Sequence, residues 1–88
     1  MQVQITKDFA KKFRKVKDEK LAQAILTIIS EVQSAETFSE IKNVKKLSGH
    51  NNAYRIRIGK FRIGVFAQGD VIEFNNFAHR SKIYKLFP

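Results

Sequence analysis

No cysteine occurs anywhere in the 88 residues. That excludes a disulfide scaffold, a thiolate zinc site and a cysteine nucleophile, and it agrees with a reducing cytosol. Tryptophan is also missing, the single proline is Pro88, and only four glycines interrupt the chain. No linker rich in proline, glycine or serine divides it and no repeat recurs, so one domain spanning residues 1–88 is expected. There is no room for a cofactor domain beside a substrate domain. No apolar run approaches the roughly 20 residues that cross a bilayer. The opening "MQVQITKDF" lacks the apolar core of a secretion signal. A soluble, cytoplasmic protein without a membrane partner is the expectation. Acidic residues number 8 against 17 Lys and Arg. They are too few for a carboxylate hydrolase or a two-metal nuclease. His50 and His79 stand far apart, and no acidic pair flanks either, so no metal site is expected. G-x-S-x-G, P-loop and G-x-G-x-x-G patterns are absent, and no cofactor is expected.

What is present is positive charge, unevenly placed. The net charge is +9. Residues 1–41 carry seven basic and six acidic side chains, whereas residues 42–88 carry ten basic ones against only Asp70 and Glu73. A basic half of this kind suits a polyanion: nucleic acid, an anionic membrane surface or an acidic partner protein.

Periodicity outlines the elements. Val3 and Ile5 alternate with Gln2 and Gln4, the mark of a half-buried strand. Thr6 reads as a helix cap, with Asp8 in the positive first turn and Phe9, Phe13 and Val16 at helical spacing. Asp18 reads as a second cap. Leu21, Ile25, Ile28, Ile29 and Val32 then form an apolar stripe on a helix ending near Ser34. Residues 35–53 read as a long connector with a single turn near Phe38–Ile41. Tyr54, Ile56 and Ile58 alternate with Arg55 and Arg57. Beyond Gly59-Lys60, Phe61, Ile63 and Val65 alternate with Arg62, Gly64 and Phe66. A two-residue turn that begins with glycine fits a type II′ hairpin. "AQGD" makes another turn, "VIEFNNFA" a further strand, and "HRSKIYKLFP" a short tail of about one helical turn. The expected fold is α+β, in the order β-α-α-β-β-β. Its antiparallel sheet is covered on one face by the two helices through Phe9, Phe13, Ile25, Ile28 and Ile29, and the other face is more open.

The arginines belong to that open face. Alternation sets Arg55 and Arg57 on one side of their strand, roughly 6 to 7 Å apart. A two-residue hairpin sets Arg62 opposite Arg57. Like charges opposite one another destabilise a sheet, and no acid occurs between Glu40 and Asp70 to offset them. Such a cluster awaits an anion, and the planar guanidinium fork suits phosphate. His79, Arg80 and Tyr84 follow the last strand and leave the sheet at one rim. Histidine can move protons near neutrality, arginine adds phosphate affinity and tyrosine can stack on a base.

These residues bear a resemblance. "VKKLSGHNNAYRIRIGKFRIGVF" followed by "FAHRSKIYKLF" resembles the RelE/ParE toxin superfamily. Leu47, Gly49, Tyr54, Arg55, Arg57, Gly59, Arg62, His79, Arg80 and Tyr84 match its pattern of a leucine-glycine pair, an arginine-rich hairpin and a His-Arg followed four residues on by Tyr. The resemblance covers essentially the whole chain and implies the RelE-like fold. It also implies a toxin paired with a cognate antitoxin, acting as a ribosome-dependent endoribonuclease (an mRNA interferase) that halts translation. Arg57, Arg62, His79, Arg80 and Tyr84 are then the catalytic candidates. The RNA's own 2′-OH is expected to attack without a metal. Arg55 orients the backbone, and Lys42, Lys45, Lys46 and Lys82 dock on ribosomal RNA and messenger. RelE itself carries lysine where Arg55 and Arg57 stand, and such chains often carry glycine where Ala78 stands. Arginine stays protonated and is a poor general base, which turns attention to His79. Glu73, Asn75 and Asn76 make the last strand unusually polar. Two alternatives stay open. One is a ParE-like gyrase inhibitor without nuclease activity. The other is a non-catalytic RNA-binding module, disfavoured because Phe66 is the only aromatic expected on the open face of the hairpin.

Overall fold

The computed structural model describes residues 1–88. In chain order it has strand β1 (Gln2–Ile5), helix α1 (Lys7–Arg14), helix α2 (Glu19–Ser34), a 3₁₀ turn (Phe38–Glu40), strands β2 (Val44–Lys46), β3 (Ala53–Ile58), β4 (Phe61–Gln68) and β5 (Val71–His79), and helix α3 (Ile83–Leu86). The five strands form one sheet in the order β1-β5-β4-β3-β2. β1 runs parallel to β5, and every other pairing is antiparallel. The architecture is the expected α+β arrangement. No helix is long and apolar enough to cross a membrane.

Both helix caps form as the sequence indicates. Thr6 Oγ1 accepts the Phe9 N–H at 3.1 Å and donates to the Asn75 carbonyl at 3.1 Å, so one hydroxyl starts α1 and ties it to β5. Asp18 Oδ1 accepts the N–H groups of Lys20 and Leu21 at 2.9 and 3.3 Å. The terminal ammonium of Met1 donates to the Gln33 and Ala35 carbonyls at 3.0 and 2.8 Å. That places a positive charge at the negative end of α2.

One face of the sheet and the helices enclose the main core. Phe9, Ile25, Val32, Ile56, Ile63, Val65, Ile72, Phe74 and Phe77 are all buried there. Phe13, Ile28 and Ile29 pack around them half-buried. Phe9 meets Phe74 and Phe77 edge-on, with centroids 5.7 and 5.0 Å apart.

Two features depart from the expected layout. β2 occupies part of the stretch read as a connector, with Val44, Lys45 and Lys46 paired to Ile56, Arg55 and Tyr54. Three residues are too few to show alternation, and only the exposed edge of β3 makes them a strand. The second departure is on the face away from α1 and α2, which is not open along its whole length. The C-terminal segment crosses it and builds a small second core from Ala53, Ala78, Ile83 and Phe87, with Leu47 and Phe66 alongside. Gly64 makes this possible, because a Cβ there would collide with the Phe87 ring.

Candidate nucleic-acid interface

The hairpin register places the basic residues. Arg57 pairs with Arg62 and Ile58 with Phe61, as a two-residue turn requires. Gly59 has a φ of 59°, the left-handed conformation that position calls for. Arg62 pairs on its other side with Ala78, which makes one row Ala78–Arg62–Arg57 across β5, β4 and β3. The next row is Gly64–Arg55–Lys45. All four basic side chains therefore lie on the face away from α1 and α2. A cleft of about 370 Å³ opens among Asn43, Val44, Lys45, Arg55, Arg57 and Arg62, with no carboxylate in its lining.

Neutral oxygens hold the guanidiniums. Arg57 Nη2 donates to Asn43 Oδ1 at 3.0 Å. Arg62 Nη1 donates to the carbonyls of Gly59 and Phe61 at 3.0 and 2.8 Å, which turns the side chain back over the hairpin. Arg55 Nε is buried and has no partner. A buried donor without an acceptor costs about 1–3 kcal/mol, more when charged. The Arg62 guanidinium is pushed below its usual pKa, first by loss of solvent and then by the charges of Arg57, Arg80 and Arg55. Four cations thus act on one another, and Arg80 belongs to the group. The Arg80 N–H bonds to the Lys60 carbonyl at 2.8 Å, which carries the β4–β5 ladder one residue past β5.

The other candidates sit elsewhere. His79 pairs with Phe61 across β4 and β5, and their rings meet with centroids 5.8 Å apart. Phe61 lies on the helix side with Ile63, so the pleat turns His79 away from Arg62. His79 Nδ1 accepts the Ser81 N–H at 3.2 Å and contacts Ser81 Oγ at 2.8 Å. In the neutral imidazole this leaves the proton on Nε2. Tyr84 is 58 % exposed on α3, between the buried anchors Ile83 and Phe87, with Lys85 Nζ 5.9 Å from its ring centre. Lys42 and Lys82 are exposed. Lys46 pairs with Tyr54 and shares its helix-side orientation. The structure thus gathers Arg55, Arg57, Arg62, Arg80 and Lys45, and leaves His79 and Lys46 on the other side.

Sequence reasoning missed Asn43. It adopts φ 63°, accepts the Arg57 backbone N–H at 2.9 Å through its carbonyl, and holds the Arg57 side chain as well. Asparagine tolerates the left-handed region better than other non-glycine residues. No sequence signal marked it, because the strand it precedes was itself read as connector.

A small sheet of this topology, with arginines packed on the face its main helices leave free, defines a class that the comparisons identify. No protein-family profile matches the chain. Toxin RelE3 of Methanocaldococcus jannaschii is 38 % identical over 89 aligned positions, covering 100 % of both chains. The chain belongs to the RelE toxin family. Among solved structures, the toxin of a RelB-RelE antitoxin-toxin complex from Methanococcus jannaschii is 35 % identical. It has a TM-score of 0.80 and covers 97 % of this chain and 99 % of its own. A chain of the archaeal RelE-RelB complex from Pyrococcus horikoshii shares the fold at 21 % identity, with a TM-score of 0.74 over 92 % of this chain and 96 % of its own.

Proposed function

We propose that this chain is the toxin of a toxin–antitoxin pair and that it cleaves messenger RNA on the ribosome. The observation that carries the reading is the uncompensated guanidinium cluster, above all the buried, unpartnered Arg55 Nε beside Arg57, Arg62 and Arg80. Membership of the RelE family supports the toxin role, and the complexes of similar toxins with RelB support an antitoxin partner.

In this mechanism the RNA supplies its own nucleophile. The 2′-OH gives its proton to solvent as its oxygen attacks the adjacent phosphorus, and the bond to the 5′-oxygen breaks. The products are a 2′,3′-cyclic phosphate and a free 5′-OH. Arg57 and Arg62 hold the two non-bridging oxygens and stabilise the charge that grows on them. Arg55, which lines the same cleft, holds the next phosphate and orients the backbone. Arg80, beyond the end of β5, faces the leaving 5′-oxygen and offsets its charge, and that oxygen takes its proton from solvent. His79 contributes from behind. Through Ser81 it sets the turn that leads from Arg80 into α3, and Tyr84 on α3 stacks on the reacting nucleotide. Lys42, Lys45, Lys46 and Lys82 add contacts to ribosomal RNA.

The test is in-vitro translation with purified toxin, followed by primer extension on the messenger. Discrete cuts within codons are expected. Arg57→Ala or Arg62→Ala should slow them ~10²- to 10³-fold, the loss of about 3 to 4 kcal/mol of transition-state stabilisation. A double Arg57→Ala/Arg62→Ala protein that cuts at the wild-type rate would overturn the assignment. Intact messenger with normal translation would overturn the activity itself.

A further inference from the structure

The face that carries the arginines has a second cleft at its opposite end, and its chemistry differs. It encloses about 560 Å³ among Gln4, Asn52, Phe66, Gln68, Val71 and Glu73. The register builds it. Gln4, Glu73 and Phe66 stand in one row across β1, β5 and β4, with Val71 and Gln68 in the row beside them. Asn52 closes the side, held where its carbonyl accepts the Ala67 N–H at 2.8 Å.

No cation lines this cleft, on a chain of net charge +9, and Glu73 is its one charged group. A carboxylate there repels phosphate. The amides of Gln4, Asn52 and Gln68 are exposed, and each both donates and accepts. Glu73 Oε1 takes only a long bond from Asn75 Nδ2, 3.4 Å, which leaves Oε2 open. Phe66 offers a ring held in place by Phe87, with centroids 4.8 Å apart. Amides, a carboxylate and an aromatic face are the groups that read a splayed-out base.

We infer that this cleft binds a guanine base of the same single-stranded RNA whose phosphates lie on the arginines. The inference rests on the RNA-cleaving reading. Guanine alone among the four bases presents two adjacent donors, N1–H and N2–H, which match the two oxygens of Glu73. The amides satisfy its O6, and Phe66 supplies the stacking surface. Arg62 and Phe66 are four residues apart on β4, roughly 13 Å at the rise of a strand. The base read therefore belongs to a nucleotide flanking the cut, and the site sets sequence preference.

The experiment is a nuclear magnetic resonance titration of the full ¹⁵N-labelled chain with the trinucleotides UGU, UAU, UCU and UUU. Side-chain amide signals of Gln4, Asn52 and Gln68 report on the base cleft, and the Nε–H signals of Arg55 and Arg62 report on the phosphate cleft. Both sets should move, and UGU should bind at least about fivefold tighter than the others. Glu73→Gln should abolish that preference, and Arg62→Ala should weaken all four ligands alike. Gln68→Ala, at an exposed position, should reduce the preference without touching the buried sheet. If the arginine signals move while the amides stay still, or if Glu73→Gln leaves the ranking intact, the base site is wrong and the phosphate cleft stands. If only the amides move, the phosphate cleft fails and the base site stands. If neither set moves, both are wrong.

Discussion

Arg55 shows how one side chain can be costly to the fold and useful to the function. Its Nε is buried without a partner, while Arg57 and Arg62 lean on neutral oxygens. Arg55→Lys keeps the charge and removes Nε. In the proposed mechanism it should slow cleavage by at least about tenfold, read by the same primer-extension assay, because lysine lacks the planar fork that takes a phosphate. Lys12 is a second cation with a cost. It sits half-buried on α1, donates to Asn76 Oδ1 at 3.2 Å and lies 5.3 Å from the centre of the Phe77 ring. Loss of solvent nonetheless lowers its pKa from 10.5. A lowered value means that the native state binds this proton less tightly than the unfolded chain. The penalty is present while both states are charged, and it is relieved as pH rises through the folded value towards 10.5. Lys12→Met should therefore raise the urea midpoint at pH 7 by the equivalent of less than about 1 kcal/mol, since water still screens the partly exposed charge. A lower midpoint would show that the bond to Asn76 outweighs desolvation.

At the scale of elements, the C-terminal segment is held by a single fit. Phe87 is seated against Gly64, where any Cβ would meet its ring. Gly64→Ala should destabilise by about 1–3 kcal/mol, the usual cost of overpacking. In a Phe87→Ala background the same substitution should cost much less, and urea unfolding of the four proteins gives the coupling directly. Equal costs in both backgrounds would mean that α3 does not rest on β4. The 3₁₀ turn offers a pH test. Glu40 Oε2 accepts the N–H groups of Thr37 and Glu36 at 2.8 and 2.9 Å. The bond from Thr37 is the largest cause holding the Glu40 pKa below the usual 4.5. A depressed carboxyl contributes stability above its unfolded value, and that contribution is lost as pH falls through the folded value. Glu40→Gln should flatten the acid side of the stability curve below pH 4.5 and leave its alkaline side unchanged. The caps at Thr6 and Asp18 and the hairpin at Gly59-Lys60 were legible as sequence because each is decided within a few residues. β2 and the seat of Phe87 were not, because each needs a surface that only the folded sheet provides.

For the molecule as a whole, the charge asymmetry becomes a facial one. Lys45, Arg55, Arg57 and Arg62 converge towards the hairpin end of one sheet face, and a cleft with Glu73 as its only charge occupies the other end. Binding of the toxin to RNA should weaken with salt, with a slope of about 0.7 for each phosphate contacted on a single strand. Lys45→Ala should reduce that slope, and Lys46→Ala should reduce it less, because the pleat turns the two lysines to opposite faces. Equal effects would mean that the RNA wraps the β2 edge rather than lying on one face. The sequence alone determined the helices and their caps, the hairpin register, and thus the shared face of Arg55, Arg57 and Arg62. Those follow from periods of 3.6 and 2 and from turn chemistry, which are local. Only the tertiary structure decided that Arg80 joins the cluster while His79 turns away, that Asn43 holds Arg57, and that Phe87 crosses a face expected to be open. Each of those depends on which strands become neighbours, and no local pattern encodes that pairing.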